Sequence, residues 1–78
     1  MAVIQEVEII LQNVLQIHQP MTFDTVLLGG IPEFDSMAVV TVLTAIEEQY
    51  GIMIDDDEVD AAIFETVGTL VNFVEQKM

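Results

Sequence analysis

The chain has 78 residues, 53% of them hydrophobic, which is enough for one small hydrophobic core and too little for two. Fourteen acidic residues against one basic residue, Lys77, give a formal net charge of −13, so repulsion excludes nucleic acid and anionic membrane surfaces as partners. No cysteine is present, which excludes disulfides, thiolate metal sites and cysteine nucleophiles.

The first predicted element is an amphipathic helix from Val3 to Ile17. Its apolar residues recur at three- and four-residue spacing, and polar residues fill the opposite face. Pro20 prevents the helix from continuing. Residues 1–8 lack the basic and apolar regions of a signal peptide, and no apolar run reaches the roughly 18 residues that span a bilayer. A cytoplasmic protein without membrane insertion is therefore expected.

A long, partly buried loop is predicted from His18 to Phe34. It combines two prolines and the pair Gly29 and Gly30 with several large apolar residues. Loops of this length are uncommon in a small domain and often functional. We therefore expect functional residues where this loop ends.

The second helix is predicted to begin at Asp35 and Ser36, two residue types favoured at helix amino termini, and to continue from Met37 to Tyr50. Gly51 is a natural glycine for its carboxyl end. The helical period assigns one face to the core: Val39, Val42, Leu43, Ile46 and Tyr50. The opposite face mixes apolar and acidic groups, which predicts a docking surface: Met37, Val40, Thr41, Thr44, Glu47 and Glu48.

A short third helix is predicted around the acidic run Asp55–Asp60 and residues 61–64, since acidic side chains favour a helix amino terminus. Thr66 is the predicted N-cap of a last helix, and Gly68 is expected to weaken its first turn by up to about 1 kcal/mol. The acidic run lacks the glycine and glutamate of an EF-hand loop, so no metal site is predicted.

Ser36 is the only serine in the chain, and it opens a helix directly after the long loop. A phosphodiester formed on its hydroxyl would lie at the helix amino terminus, where free N–H groups and the helix dipole favour an anion. The alternative is that Ser36 merely caps the helix. A hydrolase built from Ser36 and His18 lacks an orienting acid and an oxyanion hole, so an enzyme is not predicted.

The segment Phe34-Asp35-Ser36-Met37 resembles the Asp-Ser-Leu attachment motif of acyl carrier proteins, with Met37 in place of the usual leucine. The resemblance extends over nearly all of the chain: the first helix, the loop ending in Leu28-Gly29-Gly30, the second helix and the Thr66-Val67 start of the last one. It implies a single acyl carrier domain over residues 1–78. The fold it implies is all-α, a small four-helix bundle of acyl-carrier type with a long loop between helices 1 and 2 and a short helix 3.

The resemblance also implies a function. A phosphopantetheinyl transferase would attach 4′-phosphopantetheine from coenzyme A to Ser36, beside the acidic Asp35, and the thiol of that arm would hold an acyl group as a thioester. The implied partners are this transferase and acyl-loading and acyl-processing enzymes with basic docking patches, and a monomer is expected. The residues implied to meet these partners are Met37, Val40, Thr44, Glu47 and Glu48.

Fatty-acid, polyketide and specialised lipid pathways remain open, and Thr41 and Thr44 favour the specialised one because they make the docking face less acidic. Two alternatives stand beside the acyl carrier: an aminoacyl carrier of peptidyl or D-alanyl type, and an interaction domain that lost its modification. The acidity and the Glu47-Glu48 pair favour the acyl carrier. A cavity between the second helix and Leu28, Ala62 and Ile63 is expected to shelter an acyl chain.

Overall fold

The structure is a computed structural model that describes residues 3–78, apart from the side chain of Asp56. Within these residues it contains three α-helices and two 3-10 segments. The α-helices are α1 (Val3–Leu15), α2 (Ser36–Tyr50) and α3 (Val67–Lys77), and the 3-10 segments η1 (Asp56–Glu58) and η2 (Ala61–Phe64) lie between α2 and α3. Helix α1 packs against both α2 and α3, and α3 also packs against η2. The all-α prediction is confirmed.

Helix α1 ends at Leu15, two residues before the predicted end. Gln16 takes a left-handed conformation with φ of 55°, and the N–H of Ile17 donates to the carbonyl of Gln12 at 3.1 Å. This arrangement closes the last turn and turns the chain away from the helix axis. The helix therefore ends on its own backbone geometry, well before Pro20.

Helix α2 confirms both predicted boundaries, since Asp35 caps its amino end and Gly51 follows it in the left-handed conformation with φ of 64°. Its core face is narrower than predicted. The fully buried residues follow a four-residue spacing, and the others assigned to the core are half-buried. The buried residues of α2 are Ala38, Val42 and Ile46, and the half-buried ones are Val39, Leu43 and Tyr50.

The long loop is partly buried, as predicted, and it is held along its length by the carboxyl-terminal part of the chain. Backbone hydrogen bonds join residues 23–28 to residues 64–68, among them the 2.9 Å bond from the N–H of Val67 to the carbonyl of Thr25. Four of its large apolar side chains belong to the core, whereas Phe23, Val26 and Leu28 are exposed. The buried loop residues are Met21, Leu27, Ile31 and Phe34.

Gly68 is buried in the first turn of α3, against the loop. A Cβ atom at this position would clash with the ring of Phe23 and would lie 2.8 Å from the carbonyl oxygen of Phe23. The expected weakening of α3 by Gly68 is therefore only part of its effect. The missing side chain is what allows the loop to pack onto α3.

The predicted third helix is not an α-helix. The carboxylate of Asp60 caps η2 by accepting from the N–H groups of Ala62 at 3.0 Å and Ile63 at 3.3 Å. Thr66 already caps α3, as predicted, by accepting from the N–H of Thr69 at 3.1 Å. The interval between these two caps is too short for an α-helix to propagate, so it closes with 3-10 hydrogen bonds.

Candidate functional site

Ser36 is exposed at the first position of α2, and the chain is anchored on both sides of it. On the loop side, Phe34 is buried and its ring packs against that of Phe64 with 5.6 Å between the centroids. On the helix side, Ala38 is buried. Ser36 is therefore exposed at a fixed point of the chain, where a helix begins.

Asp35, rather than Ser36, is the N-cap of α2. Its backbone is extended, with φ of −108° and ψ of −174°, and its Oδ1 accepts a hydrogen bond from the N–H of Ala38 at 2.9 Å. The carbonyl of Asp35 accepts the first intrahelical bond, from the N–H of Val39 at 3.0 Å. Capping, the alternative explanation for Ser36, is thus performed by its neighbour. The hydroxyl of Ser36 is not needed to complete the helix.

The first turn of α2 fits a phosphodiester on Ser36. The first four N–H groups of a helix have no intrahelical carbonyl to bind. Here the N–H of Asp35 donates to the carbonyl of Glu33, and the N–H of Ala38 donates to the carboxylate of Asp35. The N–H groups of Ser36 and Met37 remain at the positive end of the helix dipole, which favours an anion. The first turn itself contains no acidic residue, and the adjacent carboxylate is that of the N-cap Asp35.

The predicted docking face begins beside Ser36 and is uncharged over its first turns. Met37 is 74% exposed and Val40 is 60% exposed. The hydroxyls of Thr41 and Thr44 donate to the carbonyls of Met37 and Val40, each at 3.0 Å, so their donor capacity is used within the helix. The amino-terminal half of the face is therefore apolar in character.

Glu47 and Glu48, which the sequence treats as one acidic pair, differ in the structure. Glu48 is exposed, whereas Glu47 is half-buried and its Oε2 accepts from the N–H of Ile54 at 2.8 Å. Glu47 thereby fixes the chain that follows Gly51. The sequence analysis did not predict the exposure of Met53, which is 80% exposed in this fixed segment. The alternation of Met53 with half-buried Ile52 and Ile54 was the available signal.

Tyr50, at the carboxyl end of α2, buries its hydroxyl without a hydrogen bond of ordinary geometry. Burial, and secondarily the nearby carboxylate of Glu6 on α1, raise the pKa of Tyr50 well above its usual value. Both effects disfavour the phenolate. The Tyr50 side chain therefore packs toward α1 and does not extend into solvent.

The acidic run is fastened to α3 by the single lysine of the chain. The Nζ of Lys77 donates to both carboxylate oxygens of Glu58, at 2.7 and 2.9 Å. This hydrogen bond is the main cause that lowers the pKa of Glu58.

Within the part of the chain that the structure describes, no three potential ligands gather at a metal site. His18 is exposed in the long loop.

A groove of about 310 Å³ lies between η2 and α3, but it is not the cavity expected beneath the second helix. Ala62 and Ile63 line it as expected, whereas Leu28 and α2 do not. The inner face of α2 is filled by fully buried Val42 and Ile46. The remaining residues of the groove are Asp60, Thr69, Asn72, Phe73 and Gln76.

None of the described helices has the length and apolar character that crossing a membrane requires.

Comparisons with known proteins point to one family. The family model described as "Phosphopantetheine attachment site" matches residues 5–74. The solution NMR structure of a holo acyl carrier protein from Nitrosomonas europaea is similar, with 49% identity, 99% of this chain and 96% of that chain covered, and a TM-score of 0.89. A holo acyl carrier protein from Geobacter metallireducens shares the fold at 22% identity, with 99% and 86% of the two chains covered and a TM-score of 0.80.

Proposed function

This chain belongs to the phosphopantetheine-attachment family of acyl carrier proteins, and on that premise we propose that Ser36 is the residue that carries the 4′-phosphopantetheine arm. The observation that carries the proposal is that Asp35, and not Ser36, caps the amino end of α2. Because Asp35 caps α2, the exposed hydroxyl of Ser36 is left without a structural task. Ser36 is also the only serine within the matched residues.

The protein is a carrier rather than a catalyst, and its cofactor is covalently bound 4′-phosphopantetheine. When bound, the arm supplies a thiol that holds an acyl group as a thioester. The contribution of the chain is to present the hydroxyl, with the buried Phe34 and Ala38 fixing the backbone on either side of it. The N–H groups of Ser36 and Met37 then favour the phosphodiester charge. Asp35 acts on the site by holding this helix start in place.

Proteins of this family interact with phosphopantetheinyl transferases and with acyl-processing enzymes. For this chain the proposed docking face follows α2 away from Ser36. Its first part is apolar, through exposed Met37 and Val40 and the methyl-bearing Thr44. Its far end is acidic, through Glu48 and the half-buried Glu47. This order fits enzymes that bring an apolar surface near the serine and a basic patch beyond it.

We propose an acyl cargo, with residues 1–78 acting as one monomeric carrier unit. The similarity at 49% identity to a protein described as a holo acyl carrier protein supports this cargo. An aminoacyl cargo of peptidyl or D-alanyl type is the alternative outcome. The uncharged first half of the docking face favours a specialised lipid pathway over general fatty-acid or polyketide synthesis.

The attachment site is tested by incubating the unmodified protein with coenzyme A and a broad-specificity phosphopantetheinyl transferase, followed by intact-mass measurement. The wild-type chain should gain one phosphopantetheine group and Ser36→Ala should gain none. Thr22→Ala, which removes an exposed hydroxyl in the loop, is the matched control and should gain the group normally. A wild-type chain that gains no mass, or a gain that survives Ser36→Ala, would refute the assignment.

The cargo is tested on the modified protein with two loading enzymes, an acyl-carrier synthetase supplied with a fatty acid and an aminoacyl-adenylating enzyme supplied with amino acids. Acylation by the synthetase alone is expected. Loading by the adenylating enzyme alone would replace the acyl carrier assignment with an aminoacyl carrier, without affecting Ser36.

A further inference from the structure

The methionines of the described chain fall into two groups by exposure. Met21 is 7% exposed and belongs to the core, whereas Met37, Met53 and Met78 are exposed. Of the exposed ones, Met37 adjoins the proposed attachment serine and lies within the proposed docking face. Met53 belongs to the segment after α2, and Met78 is the last residue. An oxidant in solution therefore meets a thioether directly beside the functional hydroxyl.

We propose that Met37 is a reversible oxidation site that regulates the docking of partner enzymes, an inference that rests on the proposed function of Ser36. In the oxidation, hydrogen peroxide transfers one oxygen to the thioether sulfur. The O–O bond of the peroxide breaks, the S–O bond of the sulfoxide forms, and the second oxygen leaves as water. Sulfur loses two electrons and the peroxide gains them. Methionine sulfoxide reductases reverse the change.

The position of Met37 makes its oxidation state matter to any enzyme that acts on Ser36. The two residues are adjacent, and the side chain of Met37 projects from the surface with 74% of its area exposed. An enzyme that brings its active site to the Ser36 hydroxyl must therefore cover at least part of this side chain. A thioether is apolar and adaptable, and it suits such a contact.

The surroundings of Met37 make the sulfoxide unfavourable in a docked complex. The segment from Ser36 to Ile46 carries no charge, and exposed Val40 and Thr41 follow Met37 along the face. The hydroxyl of Thr41 already donates to the Met37 carbonyl at 3.0 Å. The sulfoxide oxygen is strongly polar, and an apolar partner surface that covered it would offer it no hydrogen bond.

The free protein is expected to tolerate the same oxidation. Met37 contributes no buried surface to the core, whose residues on α2 are Ala38, Val42 and Ile46. Its backbone carbonyl, not its sulfur, makes the bond to Thr41. Oxidation should therefore change docking while leaving the fold and its melting temperature unchanged, in contrast to oxidation of the buried Met21.

The experiment compares the unmodified wild-type chain with Met37→Leu and its matched control Met53→Leu, which removes an equally exposed methionine off the docking face. Each protein is treated with dilute hydrogen peroxide, freed of the oxidant and mapped by peptide mass. The rate of phosphopantetheine transfer is then measured. Oxidation should lower kcat/KM about tenfold for wild type and Met53→Leu, and not at all for Met37→Leu. Treatment with methionine sulfoxide reductases should restore the rate.

Three results would overturn the proposal: Met37 staying reduced while Met53 is oxidised, an unchanged rate after oxidation of Met37, or an equal loss in all three proteins. Circular dichroism of each oxidised protein checks that the fold persists, and a loss of fold in wild type but not in Met37→Leu would also contradict it. If the untreated chain accepts no phosphopantetheine, the proposed function fails first and this inference fails with it. The two failures are therefore distinguishable.

Discussion

The two halves of α2 perform different tasks although they form one continuous helix of 15 residues. The amino-terminal half exposes Met37 and Val40 beside Ser36 and has no charged residue. In the carboxyl-terminal half, Glu47 binds the backbone of Ile54 and the Tyr50 hydroxyl is buried against α1. The comparison teaches that membership of the polar face does not decide the role of a residue: Met37 and Val40 are exposed on that face, whereas Glu47 of the same face binds the backbone of the following segment.

The largest effect on stability is expected when a truncation in the buried face of α2 is compared with one in its exposed face. Ile46→Ala should lower the free energy of unfolding by about 2–5 kcal/mol, because it leaves a cavity in the core. Val40→Ala, a truncation on the exposed face, should change it by less than about 0.5 kcal/mol. Urea titrations measure both values. A large loss for Val40→Ala would mean that the exposed half of α2 also stabilises the fold.

A second pair tests the division between the two glutamates. Glu47→Ala should destabilise the fold by about 1–2 kcal/mol because the N–H of Ile54 loses its acceptor. Glu48→Ala should leave stability nearly unchanged and instead weaken the salt dependence of transferase docking, since an exposed charge acts mainly on association. Thermal melts and transfer rates at several salt concentrations separate the two. Equal stability losses would erase the proposed distinction between the glutamates.

A third pair concerns the amino end. Asp35→Ala should cost about 1 kcal/mol of stability through the lost cap, whereas Asp35→Asn keeps a side-chain acceptor and should cost less. Chemical denaturation of both variants gives the comparison. If Asp35→Ala left stability unchanged, capping by Asp35 would be unimportant. The alternative that Ser36 serves only as the helix cap would then have to be considered again.

The smallest effect concerns pH at the carboxyl end. The raised pKa of Tyr50 means that the folded chain keeps its phenol protonated while the unfolded chain ionises near pH 10. Stability from this group is therefore fully present below about pH 10 and is lost as pH rises above it. Tyr50→Phe should remove this decline, as melts between about pH 9 and pH 11 would show. An identical decline in both proteins would assign it to other groups.

The sequence predicted the features that depend on local signals. The boundaries of α2 follow from Asp35 and Gly51, the cap of α3 from Thr66, and the exposure of Ser36 from its place at a helix start. The sequence does not say which of Asp35 and Ser36 caps α2, because both residue types are equally good caps. The geometry identifies Asp35 as the cap, since its carboxylate accepts from the N–H of Ala38.

The sequence did not predict features that depend on contacts between distant residues. The bond from Ile54 to Glu47 separates the glutamates, and nothing in the pattern of α2 alone indicates it. The contact of Phe23 with Gly68 likewise gives the glycine a packing role that helix propensity cannot show. The 3-10 form of η2 depends on the short interval between the caps Asp60 and Thr66.

The hydrogen bonds between residues 23–28 and 64–68 also affect the order in which the molecule can be completed. The paired segments lie roughly forty residues apart, so their contact carries a large loop-closure entropy and belongs to the slow, non-local part of folding. A nascent chain that has not extended beyond residue 68 has no partner for the backbone that leads into Ser36. Ser36 therefore gains its native setting only after residues 64–68 have been synthesised.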